Sequence, residues 1–189
     1  MTVTNPAAGR YDAFARSLHW TMALLIALAF ALGLAVDAFP KAAEALVVQV
    51  HVLIGVSLVL LLGLLVIWRL SHGAPPSPPA SPLMMRAAQL GHLALYVLMG
   101  AALAAGLATL FLRGQAIDAV IFSIPSPFAA NRALARSAKE VHETLSFVLV
   151  GLSVAHVAAA LWHQFVLRDG TLARMASPRS PTPAAGGIG

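Results

Sequence analysis

Four long stretches without Asp, Glu, Lys or Arg organise this chain. They comprise 20 residues between Arg16 and Asp37, 24 between Glu44 and Arg69, 26 between Arg86 and Arg113, and 24 between Glu143 and Arg168. Each is long enough for a helix crossing a hydrocarbon core of roughly 30 Å at about 1.5 Å per residue. A soluble four-helix bundle would place polar residues at about every second position, and these windows do not. The pattern predicts an all-α, integral membrane four-helix bundle with helices over about 13–37, 45–70, 86–112 and 138–168, in one transmembrane domain covering 1–175. The first span exceeds the apolar core of a secretory signal and carries His19 at its polar edge, so it reads as retained.

The connections are predicted from their turn chemistry. Ser71 to Pro82 is Pro-rich and reads as an extended linker. Gly114 to Ala138 is the longest loop and should fold over one face of the bundle. Ser137-Ala138-Lys139-Glu140 matches a capping box, which starts the fourth helix at Ala138. Residues 176–189 are Pro, Ala and Gly-rich and read as a disordered tail.

Composition agrees with a membrane protein: 59% of the 189 residues are hydrophobic, 10% are charged, and the mean hydropathy is +0.83. With no cysteine, a disulfide scaffold, an iron–sulfur cluster and covalent haem attachment are excluded. A net charge of +5 in a soluble protein would suggest nucleic acid; in a membrane protein it sets topology instead, and no nucleic acid is expected as a partner. An even number of spans puts both termini on one side, with Arg10, Arg16, Arg69, Arg86, Arg168, Arg174 and Arg179 there and Lys41, Arg113, Arg132, Arg136 and Lys139 opposite. Seven against five predicts termini in the cytoplasm.

Six of the seven histidines, namely His19, His51, His92, His142, His156 and His163, fall at or within spans, while His72 reads as a solvated loop residue. An ionisable side chain costs free energy in lipid and persists there for a reason. One imidazole satisfied by a neighbouring helix is ordinary; six are not explained that way. His142 and His156 are 14 residues apart, so they share a helix face to within roughly 40° and are separated by roughly 21 Å. One metal ion cannot span that distance, but two stacked cofactors can. Alternating helix directions match the partners by depth: His51 with His142 at the outer level, His19 with His156 at the inner. Neutral imidazoles on both faces of a haem iron make a six-coordinate centre suited to electron transfer. His19 is three residues from Arg16 and His156 twelve from Arg168. Either the fourth helix projects past the membrane or Arg16 is drawn inward to meet a haem propionate. Gly55, one turn after His51, and Gly151, Ala155 and Ala159 supply small side chains near the ligands.

These residues resemble the bacterial cytochrome b561 family. The resemblance is carried by Arg10-Tyr11, Leu18-His19-Trp20, His51-Val52-x-x-Gly55, Leu90-Gly91-His92-x-x-x-Tyr96, Lys139-Glu140-Val141-His142-Glu143 and Gly151-x-x-x-Ala155-His156. Ala160-Leu161-Trp162-His163 leading to Arg168-Asp169-Gly170-Thr171-Leu172 continues it over roughly residues 10–175. The resemblance implies a bundle binding two haems b through His19, His51, His142 and His156, with ubiquinone as electron acceptor, in the bacterial inner membrane. One branch of that family looks like a superoxide oxidase, oxidising superoxide at the periplasmic face.

Particular residues here suit that chemistry. Arg132, Arg136 and Lys139 precede His142, and clustered positive charge focuses a small anion; Glu140 and Glu143 flank the ligand and oppose this. Arg10, Tyr11, Trp20, His92 and His163 are candidates to hold or protonate quinone oxygens, with His163 first because it lies two turns beyond His156. Two other functions draw on the same residues: a cytochrome b subunit relaying electrons between a partner dehydrogenase or hydrogenase and the quinone pool, and a metal or proton transporter. The spans contain no Asp or Glu, which speaks against the transporter.

Overall fold

In the computed structural model, residues 10–75, 80–118 and 123–176 are described. Four helices dominate: α1 (Ala13–Ala35), α2 (Lys41–His72), α3 (Pro82–Leu112) and α4 (Arg132–Trp162). All four are long and apolar enough to cross a membrane once the 3-10 turn after α1 (Val36–Ala38) and the π turn after α4 (His163–Leu167) are included. They run alternately up and down, so both ends of the described chain meet at one end of the bundle. There Tyr11 N donates to Arg174 O, and Trp68 Nε1 donates to Asp12 Oδ2 at 3.1 Å.

Each helix start has an identifiable cause. Asp12 caps α1 by accepting from Ala15 N at 2.8 Å. Ser81 caps α3 at Met84 N, and Pro82 occupies the first helical position, where its missing N–H costs nothing. α4 begins at Arg132, six residues before the predicted Ala138, because Asn131 caps it at Leu134 N, 3.1 Å away. The Ser137 to Glu140 capping box is therefore not used. Ser137 is inside the helix, where Glu140 instead pairs with Arg136.

The Pro-rich linker also starts later than predicted. Ser71 and His72 are the last two residues of α2, and His72 stacks on Trp68 with ring centroids 3.7 Å apart rather than lying in a loop. The loop after α3 contains a short antiparallel pair, β1 (Ile117–Asp118) with β2 (Ser123–Ile124). Ser126 Oγ donates to Phe111 O, and Asn131 N donates to Leu112 O, so this loop folds back on the end of α3. Residues 76–79 of the linker and 177–189 of the predicted disordered tail lie outside the described residues.

Packing concentrates at mid-height. Met22 of α1, Leu58 of α2, Met99 of α3 and Leu149 of α4 form the buried cluster, one residue from each helix. Among the described residues no buried side chain is polar or charged. Long apolar side chains such as Leu60, Ile67 and Leu93 point outward instead. In water such a surface would drive association; in a bilayer it faces acyl chains and needs no other partner.

Candidate functional site

Leu149 is seven residues from both His142 and His156, so the apolar cluster separates two histidine levels on α4. At one level the rings of His51 and His142 have centroids 6.0 Å apart and are nearly perpendicular, at 85°. At the other, His19 and His156 are 6.3 Å apart at 61°. The pairing is the one that helix direction predicts. An ion held between two opposed imidazole nitrogens, at about 2 Å from each, separates the ring centroids by about 6 Å. Both pairs have that spacing.

The pair at the loop end is also held from behind. His51 Nδ1 donates to Ala29 O at 2.9 Å, and His142 Nδ1 donates to Ala102 O at 2.8 Å. A carbonyl can only accept, so both imidazoles carry their proton on Nδ1 and leave Nε2 with a free lone pair. This is how metal-binding histidines are usually oriented. The rings lie close to backbone because small residues permit it. A Cβ on Gly106 would sit 3.0 Å from His142 Cε1, and one on Gly33 would sit 3.5 Å from His51 Cε1. Sequence reasoning singled out Gly55 and Gly151 instead. Neither would place a Cβ within 4 Å of another group, so both leave open space near the ligand-bearing turns. Nitrogen donors in opposed pairs, anchored tautomers and unfilled space beside them fit an iron porphyrin.

The fourth helix extends further past its histidine than the first does before its own. α1 begins six residues before His19, whereas α4 and its π turn continue eleven residues past His156. Arg16 Nη1 donates to Tyr11 O at 2.8 Å.

The remaining predicted residues divide into four groups at the termini end. His92 on α3 joins the histidine pair there, its ring 5.3 Å from that of His156. Tyr11 and Trp20 are engaged by the segment after α4. Trp20 Nε1 donates to Met175 O at 2.9 Å, Arg69 Nη2 donates to the Tyr11 hydroxyl at 3.2 Å, and Arg69 and Arg174 both lie over the Tyr11 ring. His163 is brought to Asp169, its Nδ1 donating to Oδ2. Burial opposes ionisation of Asp169, but hydrogen bonds from His163 and Thr171 outweigh it and hold the carboxyl down to about 2. Around this turn Gln164, Phe165, Arg168, Gly170 and Ala173 line a cavity of about 430 Å³. Arg10 is exposed at the start of the described chain.

At the loop end two of the three focusing cations are already neutralised. Arg136 pairs with Glu140 at 3.1 Å, and Lys139 pairs with Glu143, both one helical turn apart. Sequence reasoning missed Ala29, Ala102, Gly33 and Gly106, which matter through backbone position and leave no compositional signal. It also missed Asp169 as a partner of His163, although the six-residue spacing was visible.

Two levels of paired imidazoles inside four apolar helices, one of the pairs anchored to backbone carbonyls, have the pattern of a membrane-bound cytochrome of the b type, carrying electrons. The sequence matches the family described as prokaryotic cytochrome b561 over residues 10–178. It is 35% identical to cytochrome b561 homolog 2 of Escherichia coli K12 across 93% of this chain and 95% of that protein. It is 30% identical to the probable superoxide oxidase CybB of Yersinia pestis across 88% and 95%, and 31% identical to cytochrome b561 homolog 1 of Escherichia coli K12 across 84% and 92%. The chain belongs to the prokaryotic cytochrome b561 family, and is a multi-pass bacterial membrane protein binding b-type haem.

Proposed function

We propose that this chain holds two haems b and carries electrons across the bacterial inner membrane to ubiquinone, with both termini in the cytoplasm and superoxide as the donor at the periplasmic face. The observation that carries this reading is the pair of histidine levels, with centroid spacings of 6.0 and 6.3 Å on one helix. In this reading His51 and His142 ligate the periplasmic haem, and His19 and His156 the cytoplasmic one. Bound haem would supply one-electron transfer, and these four histidines are the residues that would hold it. The chain's own residues orient the ligands: Ala29 O and Ala102 O fix the tautomers of His51 and His142. The cluster of Met22, Leu58, Met99 and Leu149 keeps the space between the levels dry. Quinone takes two electrons and two protons at the cytoplasmic end, and His163 is the residue assigned to protonate it. The likeness to a probable superoxide oxidase supports the donor.

A second reading, a cytochrome subunit served by a partner dehydrogenase or hydrogenase, draws on the loop end. With Arg136 and Lys139 paired to Glu140 and Glu143, the positive field that would steer a small anion is weakened. Proteoliposomes containing the purified protein separate the two. Ubiquinone reduction by superoxide alone, abolished by superoxide dismutase, is the expected result; reduction only after adding a dehydrogenase overturns superoxide as donor. A reduced-minus-oxidised spectrum with a haem-to-chain ratio of one rather than two overturns the two-haem assignment.

A further inference from the structure

The turn that closes α4 contains a histidine–carboxylate dyad. Arg168 adopts a left-handed conformation, with φ 53°, which is uncommon outside glycine and needs local contacts to hold it. That turn sends the chain back on itself, so that Asp169 meets His163 twice. Asp169 N donates to His163 O at 3.3 Å, and Asp169 Oδ2 accepts from His163 Nδ1. The second oxygen, Oδ1, accepts from Thr171 N at 2.9 Å, so the carboxylate itself cannot swing away. The dyad is only partly exposed, with 21% of the His163 side chain and 24% of the Asp169 side chain accessible. It flanks the residues that line the cavity around this turn, and that cavity is open to the outside.

We infer that Asp169 is a positioning residue for proton delivery by His163: it fixes the imidazole with Nδ1 protonated and turned inward, and leaves Nε2 as the nitrogen that passes protons to quinone. This rests on the reading of His163 given under Proposed function. The chemistry balances. Each electron supplied to quinone from b-type haem is matched by one proton. The Nε2–H bond of the imidazolium breaks as an O–H bond forms on a quinone oxygen, and the neutral imidazole takes a new proton from water at that end. Two such transfers give the quinol. Throughout, the Nδ1–H bond of His163 stays intact and hydrogen-bonded to the Asp169 carboxylate. A rigid acceptor behind a transferring imidazole fixes its tautomer and stabilises its cationic form, whereas an amide in the same place can reverse the tautomer.

The test uses the purified full chain loaded with haem, in Asp169→Asn, Asp169→Glu and His163→Gln forms. Two readouts are taken: the nitrogen-15 histidine spectrum, and steady-state reduction of a water-soluble ubiquinone analogue. The native protein is expected to show a downfield Nδ1–H resonance that is absent from H163Q and lost or displaced in D169N. D169N is expected to lower kcat by about ten-fold or more with KM changed less than about two-fold, with unaltered haem content, and D169E to recover most of kcat. If H163Q is impaired while D169N keeps native kcat, the inference about Asp169 is wrong and the reading of His163 stands. If H163Q reduces quinone at the native rate, the reading of His163 fails and the inference falls with it. A change in D169N confined to thermal stability or haem content, with native kcat per haem, makes the dyad structural and overturns the inference as well.

Discussion

His142 shows how much one side chain must satisfy in this bundle. Its Nδ1 is committed to Ala102 O, its ring lies against Gly106, and its ring centroid is 6.0 Å from that of His51. Replacing either His142 or His51 by Ala should remove the same one of two haems, lowering the haem-to-chain ratio from two to one, as read from pyridine haemochrome assays. His19→Ala and His156→Ala should remove the other. Gly106→Ala tests the backbone contact. Its Cβ would meet a ring held by a hydrogen bond at a distance real Cβ contacts rarely show, so haem occupancy at the His51 and His142 level should fall. At Gly63 a Cβ meets nothing within 4 Å, and Gly63→Ala should leave both haems in place. The histidines could be picked out from the sequence because charge-bearing side chains stand out in an apolar helix. Gly106 could not, since nothing in a run of Ala, Gly and Leu says which small residue faces a ring 36 positions away.

Among the elements, α4 departs most from expectation, and the reason is competition between two caps. Ser137 with Glu140 and Asn131 with Leu134 N both satisfy the chemistry of a helix start, and Asn131 wins. Its backbone N–H is already anchored to Leu112 O at the end of α3, and Arg136 and Lys139 gain carboxylate partners one turn on. Asn131→Ala should therefore cost about 1 kcal/mol of stability, and Ser137→Ala should change it by less than about 0.5 kcal/mol, both measured by unfolding in mixed micelles. Equal effects would mean that the helix starts at the second cap. The spans themselves were legible from charge-free windows, because hydrocarbon thickness sets their length. Their ends were not, because a helix end is chosen by whichever tertiary contact anchors it.

Across the whole molecule, the segment after α4 straps the termini end together, through Trp20 to Met175, Tyr11 to Arg174, and Arg174 to Pro75. Its anchor is Asp169, whose carboxyl titrates at about 2 instead of the ordinary 3.8. A lowered carboxyl value contributes stability that is complete above 3.8 and is lost as pH falls toward 2. Asp12 acts in the same direction: the Ala15 amide, opposed by burial and aided by the Trp68 indole, holds its carboxyl below the usual value. Acidification from pH 5 to pH 2 should therefore loosen the strap before the spans unfold. Amide exchange over residues 168–176 should rise first, while helix content by circular dichroism stays level. Simultaneous loss of both would show that the strap is not a separate unit. The sequence alone determined four membrane spans, their alternating direction and which imidazoles share a level, because these follow from charge-free length and a fixed rise per residue. Only the tertiary structure decided which nitrogen each anchored ring leaves free, which glycines lie against the rings, and that Asp169 turns back onto His163. Those depend on backbone atoms meeting across helices, and a carbonyl or a bare Cα has no letter of its own in the sequence.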